Sequence, residues 1–167
     1  MADSFELVLP AFKENPEWEK VRAVGKGILK YISENQASFD DLNQPDKASH
    51  GIEKELEGLL SGFGFEHEPK KGYADIALRP DYINQKLRTI VEIERGKTIQ
   101  NNMDMLDFWK THIHPVCRFL VLIVPKTLRH SLGGNPEFPF EKVKKRLGKM
   151  FDQNTGTNVW GLVLIGY

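Results

Sequence analysis

The sequence predicts an α/β domain in which a mixed β-sheet is covered by helices on both faces. Three observations carry this reading. Residues 118–124, Arg-Phe-Leu-Val-Leu-Ile-Val, form a nearly unbroken apolar run ended by Pro125. Such a run has the length of a strand and the composition of one buried on both faces. Segments with helical spacing of apolar residues alternate with short strand-like segments elsewhere, the pattern of a layered α/β fold. The chain has 167 residues, 40% of them apolar, which suits one domain with an ordinary core.

The elements follow in order. Residues 17–34 set Trp18, Val21, Val24, Ile28, Tyr31 and Ile32 near helical spacing, and Pro16 suits a first turn. Gly25 and Gly27 weaken that helix. Residues 36–50, with Asp40, Asp41, Asn43, Pro45 and Asp46, read as a linker or surface loop. The chain is thus expected to divide into an N-terminal helix and linker extension, residues 1–49, and an α/β core, residues 50–167.

The core opens with a helix over 51–62, where Ile52, Leu56, Leu59, Leu60 and Phe63 form one buried stripe. Gly62 and Gly64 end it. Three strands are expected at Phe65–Pro69, Tyr73–Leu78 and Thr89–Arg95, with Arg79–Arg88 a loop containing Pro80, Asp81 and Asn84. Beyond Gly96, Thr98 caps a helix to about His112, with Ile99, Met103, Leu106 and Ile113 on one side. Phe108 and Trp109 are both expected in the core. The 118–124 strand, a basic helix over Phe140–Phe151 and a strand over Val159–Tyr167 complete the order.

Several function classes are excluded. One cysteine, Cys117, rules out a disulfide framework and a four-cysteine zinc module. Met1–Pro10 holds Asp3 and Glu6 and no basic residue, unlike a secretory signal. No apolar run approaches the roughly 18 residues of a membrane span, so a cytoplasmic protein with no membrane partner is expected. Gly96-Lys97-Thr98 lacks the upstream glycine of a phosphate-binding loop, since Val91 stands there, so no nucleotide cofactor is expected. His112, His114 and Cys117 lie close together, but no second cluster completes a zinc site.

Charge is balanced overall, with 23 basic and 23 acidic residues, yet unevenly spread. Residues 1–69 carry a net −7 and residues 70–167 a net +7. The excess peaks at Lys142, Lys144, Lys145, Arg146 and Lys149, a basic helix face suited to phosphates or simply to water.

The most informative segment is Ile90-Val91-Glu92-Ile93-Glu94-Arg95-Gly96. Strand alternation puts Val91 and Ile93 on one side, Glu92 and Glu94 on the other. Upstream, Asp75 interrupts the apolar Tyr73–Leu78. If these strands are neighbours, three carboxylates converge, which is costly without a cation. Oxygen ligands of this kind suit Mg²⁺.

Over about residues 51–125 the chain resembles the PD-(D/E)XK nuclease superfamily, the restriction-endonuclease-like fold. The resemblance rests on Glu53-Lys54-Glu55-Leu56 on a helix, Gly64-Phe65 after it, Asp75, and Glu92-Ile93-Glu94, followed by a helix and a buried strand. It implies an α-βββ-α-β core, here with an added N-terminal helix and a C-terminal helix-strand. It also implies an Mg²⁺-dependent nuclease acting on DNA, with Mn²⁺ as a substitute. Asp75 and Glu92 would be metal ligands, joined by the Ile93 carbonyl, and Glu53 would touch the metal or its water. Glu94 stands where the family usually has lysine, and would bind a second metal or orient the water. Lys97 would restore the missing positive charge. Ala74, not proline, precedes Asp75. Apart from the resemblance, Asn101, Asn102 and Lys110 on the following helix suit contact with phosphate or water, or plain solvation of a helix surface, and Lys142, Lys145 and Lys149 suit a phosphate backbone. A homodimer would match the two-fold symmetry of a duplex. A non-catalytic module of the same fold, binding nucleic acid or a protein, and a hydrolase of another phosphoester are the other readings.

Overall fold

A computed structural model describes residues 2–48, 50–68, 78–96, 98–99, 101–152 and 156–167. A central six-stranded sheet is built from β1 (Asp3–Val8), β2 (Glu66–His67), β3 (Tyr82–Asn84), β4 (Thr89–Ile93), β5 (Phe119–Val124) and β6 (Gly161–Gly166). The helices are α1 (Pro16–Glu34), α2 (Gln36–Leu42), α3 (Gly51–Gly62), α4 (Met103–Ile113) and α5 (Pro139–Asp152).

The strand order is β1-β6-β5-β4-β3-β2. Strands β4, β5 and β6 run parallel, whereas β1, β3 and β2 pair antiparallel with their neighbours. The two ends of the chain's sheet thus flank a parallel centre, and the fold is a mixed α/β sandwich. Strand β5 lies in the middle and is buried throughout, as its composition requires. Its alternate residues feed two cores. Phe119, Val121 and Ile123 pack with Trp18, Val21, Ile28, Ile32, Phe39, Ile52, Leu56 and Leu60 of α1, α2 and α3. Leu120, Leu122 and Val124 pack with Phe108, Phe140, Val143 and Leu147 of α4 and α5.

Helix α1 begins as the sequence predicts, with Pro16 in its first turn and the Asn15 side chain accepting from the Glu17 N–H at 2.8 Å. Gly25 costs helix propensity but lets α1 approach the sheet, since a Cβ there would lie 2.7 Å from Val163 Cγ1.

Four expectations are corrected. Residues 36–42 are helix α2, because Phe39 buries completely against the α1 and β6 side of the core. Residues 3–8, read as part of an N-terminal helix and linker extension, form edge strand β1 beside β6. The loop expected at Arg79–Arg88 contains strand β3, whose Tyr82 and Ile83 are buried and whose Asn84 closes the hairpin by accepting from the Leu87 N–H at 3.0 Å. Helix α4 starts at Met103 rather than Thr98, after Asn102 in the left-handed region at φ 54°. The strand expected at Tyr73–Leu78 lies, Leu78 apart, outside the described residues, as do Asp75 and Lys97. Among the described residues no helix is long and apolar enough to cross a membrane.

Candidate active site at the C-terminal end of β4

The candidate site forms where β4 ends and β3 begins. Alternation along β4 sends Val91 and Ile93 toward α1–α3 and Ile90 and Glu92 toward α4 and α5. Glu92 is therefore carried into the interior, where it is 1% exposed. Tyr82 pairs with Val91, so Asp81, one residue earlier, stands across from Glu92. Asp81 Oδ2 accepts a hydrogen bond from the Ile93 N–H at 2.8 Å, which fixes the carboxylate against the last residue of β4. The following residue is held as well: the Glu94 N–H donates to the Ile123 carbonyl at 2.8 Å, and the Tyr167 hydroxyl donates to the Glu94 carbonyl at 3.1 Å. The Arg95 guanidinium donates to the Gln44 and Lys47 carbonyls, pinning the segment after α2 beside the strand end.

Helix α4 supplies the other wall, and it buries charged residues beside Phe108 while Met103 and Leu106 of its apolar stripe are only half-buried. Asp104, Asp107, Phe108, Lys110 and Thr111 face inward, while Trp109 is 47% exposed and Ile113 is 43% exposed. Trp109 was expected in the core and is not there. The inward polar face is met by opposite charge, although the Asp104 and Asp107 carboxylate oxygens have no hydrogen-bond partner. Lys110 Nζ donates to Glu92 Oε2 at 2.9 Å and lies 2.9 Å from Asp107 Oδ1. Asp104 pairs with Arg146 Nε of α5 at 3.3 Å. Burial of this face is possible only because carboxylates and cations descend together.

The cations do not match the carboxylates. Asp81, Glu92, Glu94 and Asp107 crowd around Lys110, and every one of the four has a raised pKa, in each case first because of burial. Glu94 is pushed up to about 8 by burial and then by Asp107. Asp107 is pushed up to about 6 by burial, against the pull of Lys110. Burial by itself would lower Lys110, but Glu92 and Asp107 more than reverse this and hold it charged. Glu92 Oε1 is buried without a hydrogen-bond partner.

The donor set is oxygen throughout, the chemistry a hard cation such as Mg²⁺ takes. The orphaned Glu92 Oε1 and the surplus of negative charge fit such an ion. Among the described residues, however, no group of three or more Asp, Glu, His or Cys side chains is placed to hold a metal ion.

The other residues singled out in the sequence fall in different places. Glu53 pairs with His67 Nε2 of β2 at 2.6 Å rather than with the Glu92 cluster, although its charge also raises the Asp81 pKa. Lys110, expected on a phosphate-facing surface, is buried in the carboxylate cluster because α4 is turned inward. Asn101 is exposed just before α4. Lys142, Lys145 and Lys149 are exposed on one side of α5, whereas Arg146 turns to Asp104 and donates to Asn102 Oδ1 at 2.7 Å. The zinc reading has no support: His114 Nδ1 accepts from the Val116 and Cys117 N–H groups, and burial pushes the Cys117 thiol up to about 12.

Sequence reasoning missed two members of the cluster, Asp81 and Asp107. A signal for the first was present. Pro80-Asp81 is the proline-acid pair absent at Ala74-Asp75, and it stands eleven residues before Glu92. It was hidden by the loop-like composition of its surroundings. Asp107 carried no signal, since only the rotation of α4 brings it inward.

No family model matches the chain, and no curated protein matches it in sequence. Among solved structures it is similar to the restriction endonuclease BglII complexed with a DNA 16-mer, with a TM-score of 0.55 and 15% identity over 99% of this chain and 75% of that one. The fold is restriction-endonuclease-like. At that identity the likeness speaks for the architecture alone.

Proposed function

We propose that the protein is a divalent-metal-dependent nuclease that hydrolyses phosphodiester bonds in DNA. The observation that carries this reading is buried Glu92, with one unpartnered oxygen, facing Asp81 across β3 and β4 near the C-terminal end of β4 in a restriction-endonuclease-like sheet. Asp81 takes the role that the sequence assigned to Asp75. Asp81, Glu92 and Glu94, with the Ile93 carbonyl, would hold Mg²⁺ or Mn²⁺. Such an ion polarises a phosphate and lowers the pKa of water at the site.

The chain's own residues supply the rest. The Ile93 N–H orients Asp81, so this carboxylate needs no reorganisation to meet a ligand. Glu94, pushed up to about 8 by burial and then by Asp107, is held largely protonated at neutral pH until a cation favours its charged form. Lys142, Lys145 and Lys149 offer an exposed stripe of charge to a phosphate backbone. DNA is favoured as substrate because that stripe coincides with a fold whose solved neighbour is a DNA complex. Two copies across a duplex are the proposed assembly, since a two-fold dimer matches the symmetry of duplex DNA.

A second reading has its own support. The Lys110–Glu92 ion pair gives the cluster a cation without metal, as a non-catalytic module of the same fold would need. Incubation of plasmid, single-stranded DNA, RNA and nucleotides with Mg²⁺ or Mn²⁺ separates the readings. Cleavage of DNA that is lost in Glu92→Gln supports the nuclease. Cleavage that survives Glu92→Gln removes the site, and no cleavage with any metal leaves the non-catalytic module.

A further inference from the structure

The placement of Lys110 bears on how the site exists before metal arrives, and this inference rests on the metal-binding reading above. Lysine is rarely buried, yet Lys110 is 7% exposed, and its Nζ reaches Glu92 Oε2 and Asp107 Oδ1 at the same 2.9 Å. Only one oxygen of Glu92 is used. The other, Oε1, is buried and has no hydrogen-bond partner, so the carboxylate is only half satisfied. Asp107 sits three residues before Lys110 on the same helix, so their contact is local to α4, whereas the contact to Glu92 bridges two elements. These two contacts of Lys110 are therefore unlike: one can persist while the other is broken.

We propose that Lys110 is the resident counter-cation of Glu92, which a divalent metal displaces while Asp107 retains the ammonium. A dication beside Glu92 repels an ammonium hydrogen-bonded to the same carboxylate, and Glu92 cannot serve both fully. Metal binding and the Lys110–Glu92 bond then oppose each other. The lysine stabilises the metal-free fold and weakens metal affinity, and by linkage metal weakens the Lys110–Glu92 bond by the same factor. The device permits four crowded carboxylates to fold before any metal is present.

The test uses Mn²⁺ as the probe, with the full chain as wild type, Lys110→Met and Lys110→Arg. Bound Mn²⁺ is followed by the loss of its free-ion electron paramagnetic resonance signal, and melting is followed in EDTA. Lys110→Met should melt lower in EDTA yet bind Mn²⁺ more tightly, by at least about fivefold, the lower end of ordinary coupling between sites. Lys110→Arg keeps the charge and should bind Mn²⁺ no more tightly than wild type. If Lys110→Met does not fold in EDTA, addition of Mn²⁺ should restore the fold, and failure to do so overturns the proposal. Unchanged or weaker Mn²⁺ binding by folded Lys110→Met also overturns it, because Lys110 is then plain scaffolding. The nuclease reading is scored separately, by DNA cleavage in wild type. Tighter Mn²⁺ binding in Lys110→Met without cleavage in wild type sustains the exchange and discards the nuclease. Cleavage in wild type with no gain in Lys110→Met does the reverse.

Discussion

Asp81 and Ile93 are joined by a hydrogen bond from the Ile93 N–H to Asp81 Oδ2 at 2.8 Å. The bond ties the residue before β3 to the last residue of β4, and so positions a carboxylate opposite Glu92. It also separates two properties of Asp81, its acceptor and its charge. Asp81→Asn keeps an oxygen for the Ile93 N–H and loses the charge. Its melting temperature in EDTA should match or exceed that of wild type, since a surplus charge is removed. Its affinity for Mn²⁺ should fall by at least the roughly 10–100-fold that loss of an outer-sphere partner costs. Asp81→Ala should lose both affinity and stability. Titration calorimetry with Mn²⁺ and melting curves for the two variants check this.

The raised carboxylate pKa values dictate the pH dependence of stability. Burial pushes Asp107 up to about 6 and Glu94 up to about 8 in the folded chain, both above their ordinary range. The folded state therefore binds more protons than the unfolded state from about pH 4 upward, and stability falls as pH rises through these values. In EDTA the melting temperature should decline from pH 5 to pH 9. Saturating Mg²⁺ should flatten the decline, because the ion favours the charged carboxylates. A profile that rises over this range would contradict the cluster's electrostatics.

The rotation of α4 predicts opposite outcomes at adjacent aromatics. Phe108 is 1% exposed and packs at the α4–α5 side of the sheet, whereas Trp109 is 47% exposed. Phe108→Ala should cost about 3–5 kcal/mol. Trp109→Ala should stay within about 0.5 kcal/mol of wild type, as surface substitutions do. Urea unfolding of both measures the difference directly.

The basic helix divides in the same way. Lys142, Lys145 and Lys149 are exposed, and each one that contacts phosphate adds about 0.9 to the slope of log affinity against log salt. Reversing all three charges should weaken DNA binding and flatten that slope. Arg146→Ala should instead lower stability, because it leaves buried Asp104 without its ion-pair partner. Fluorescence anisotropy with a short duplex at several salt concentrations, together with melting curves, distinguishes the two effects.

What the sequence determined by itself was the hydrophobic framework. The nearly all-apolar 118–124 run reads as a central strand, and the stripes of residues 17–34 and 51–62 read as helices lying on it. The alternation of Ile90-Val91-Glu92-Ile93 likewise required Glu92 to face away from Val91 and Ile93. These are local periodicities, and burial of apolar surface enforces them. Tertiary structure alone decided the rest. The three residues of β3 have too little pattern to announce a strand and exist because β4 offers a paired edge. Helix α4 presents an apolar side that the sequence sent inward, yet its Asp107 and Lys110 are buried instead. The reason is energetic: Glu92 is already carried inside by strand alternation, and an uncompensated buried carboxylate costs more than exposing Trp109 and Ile113. The helix turns its cation toward that charge. No periodicity along α4 encodes this, because the charge it answers lies eighteen residues away on β4.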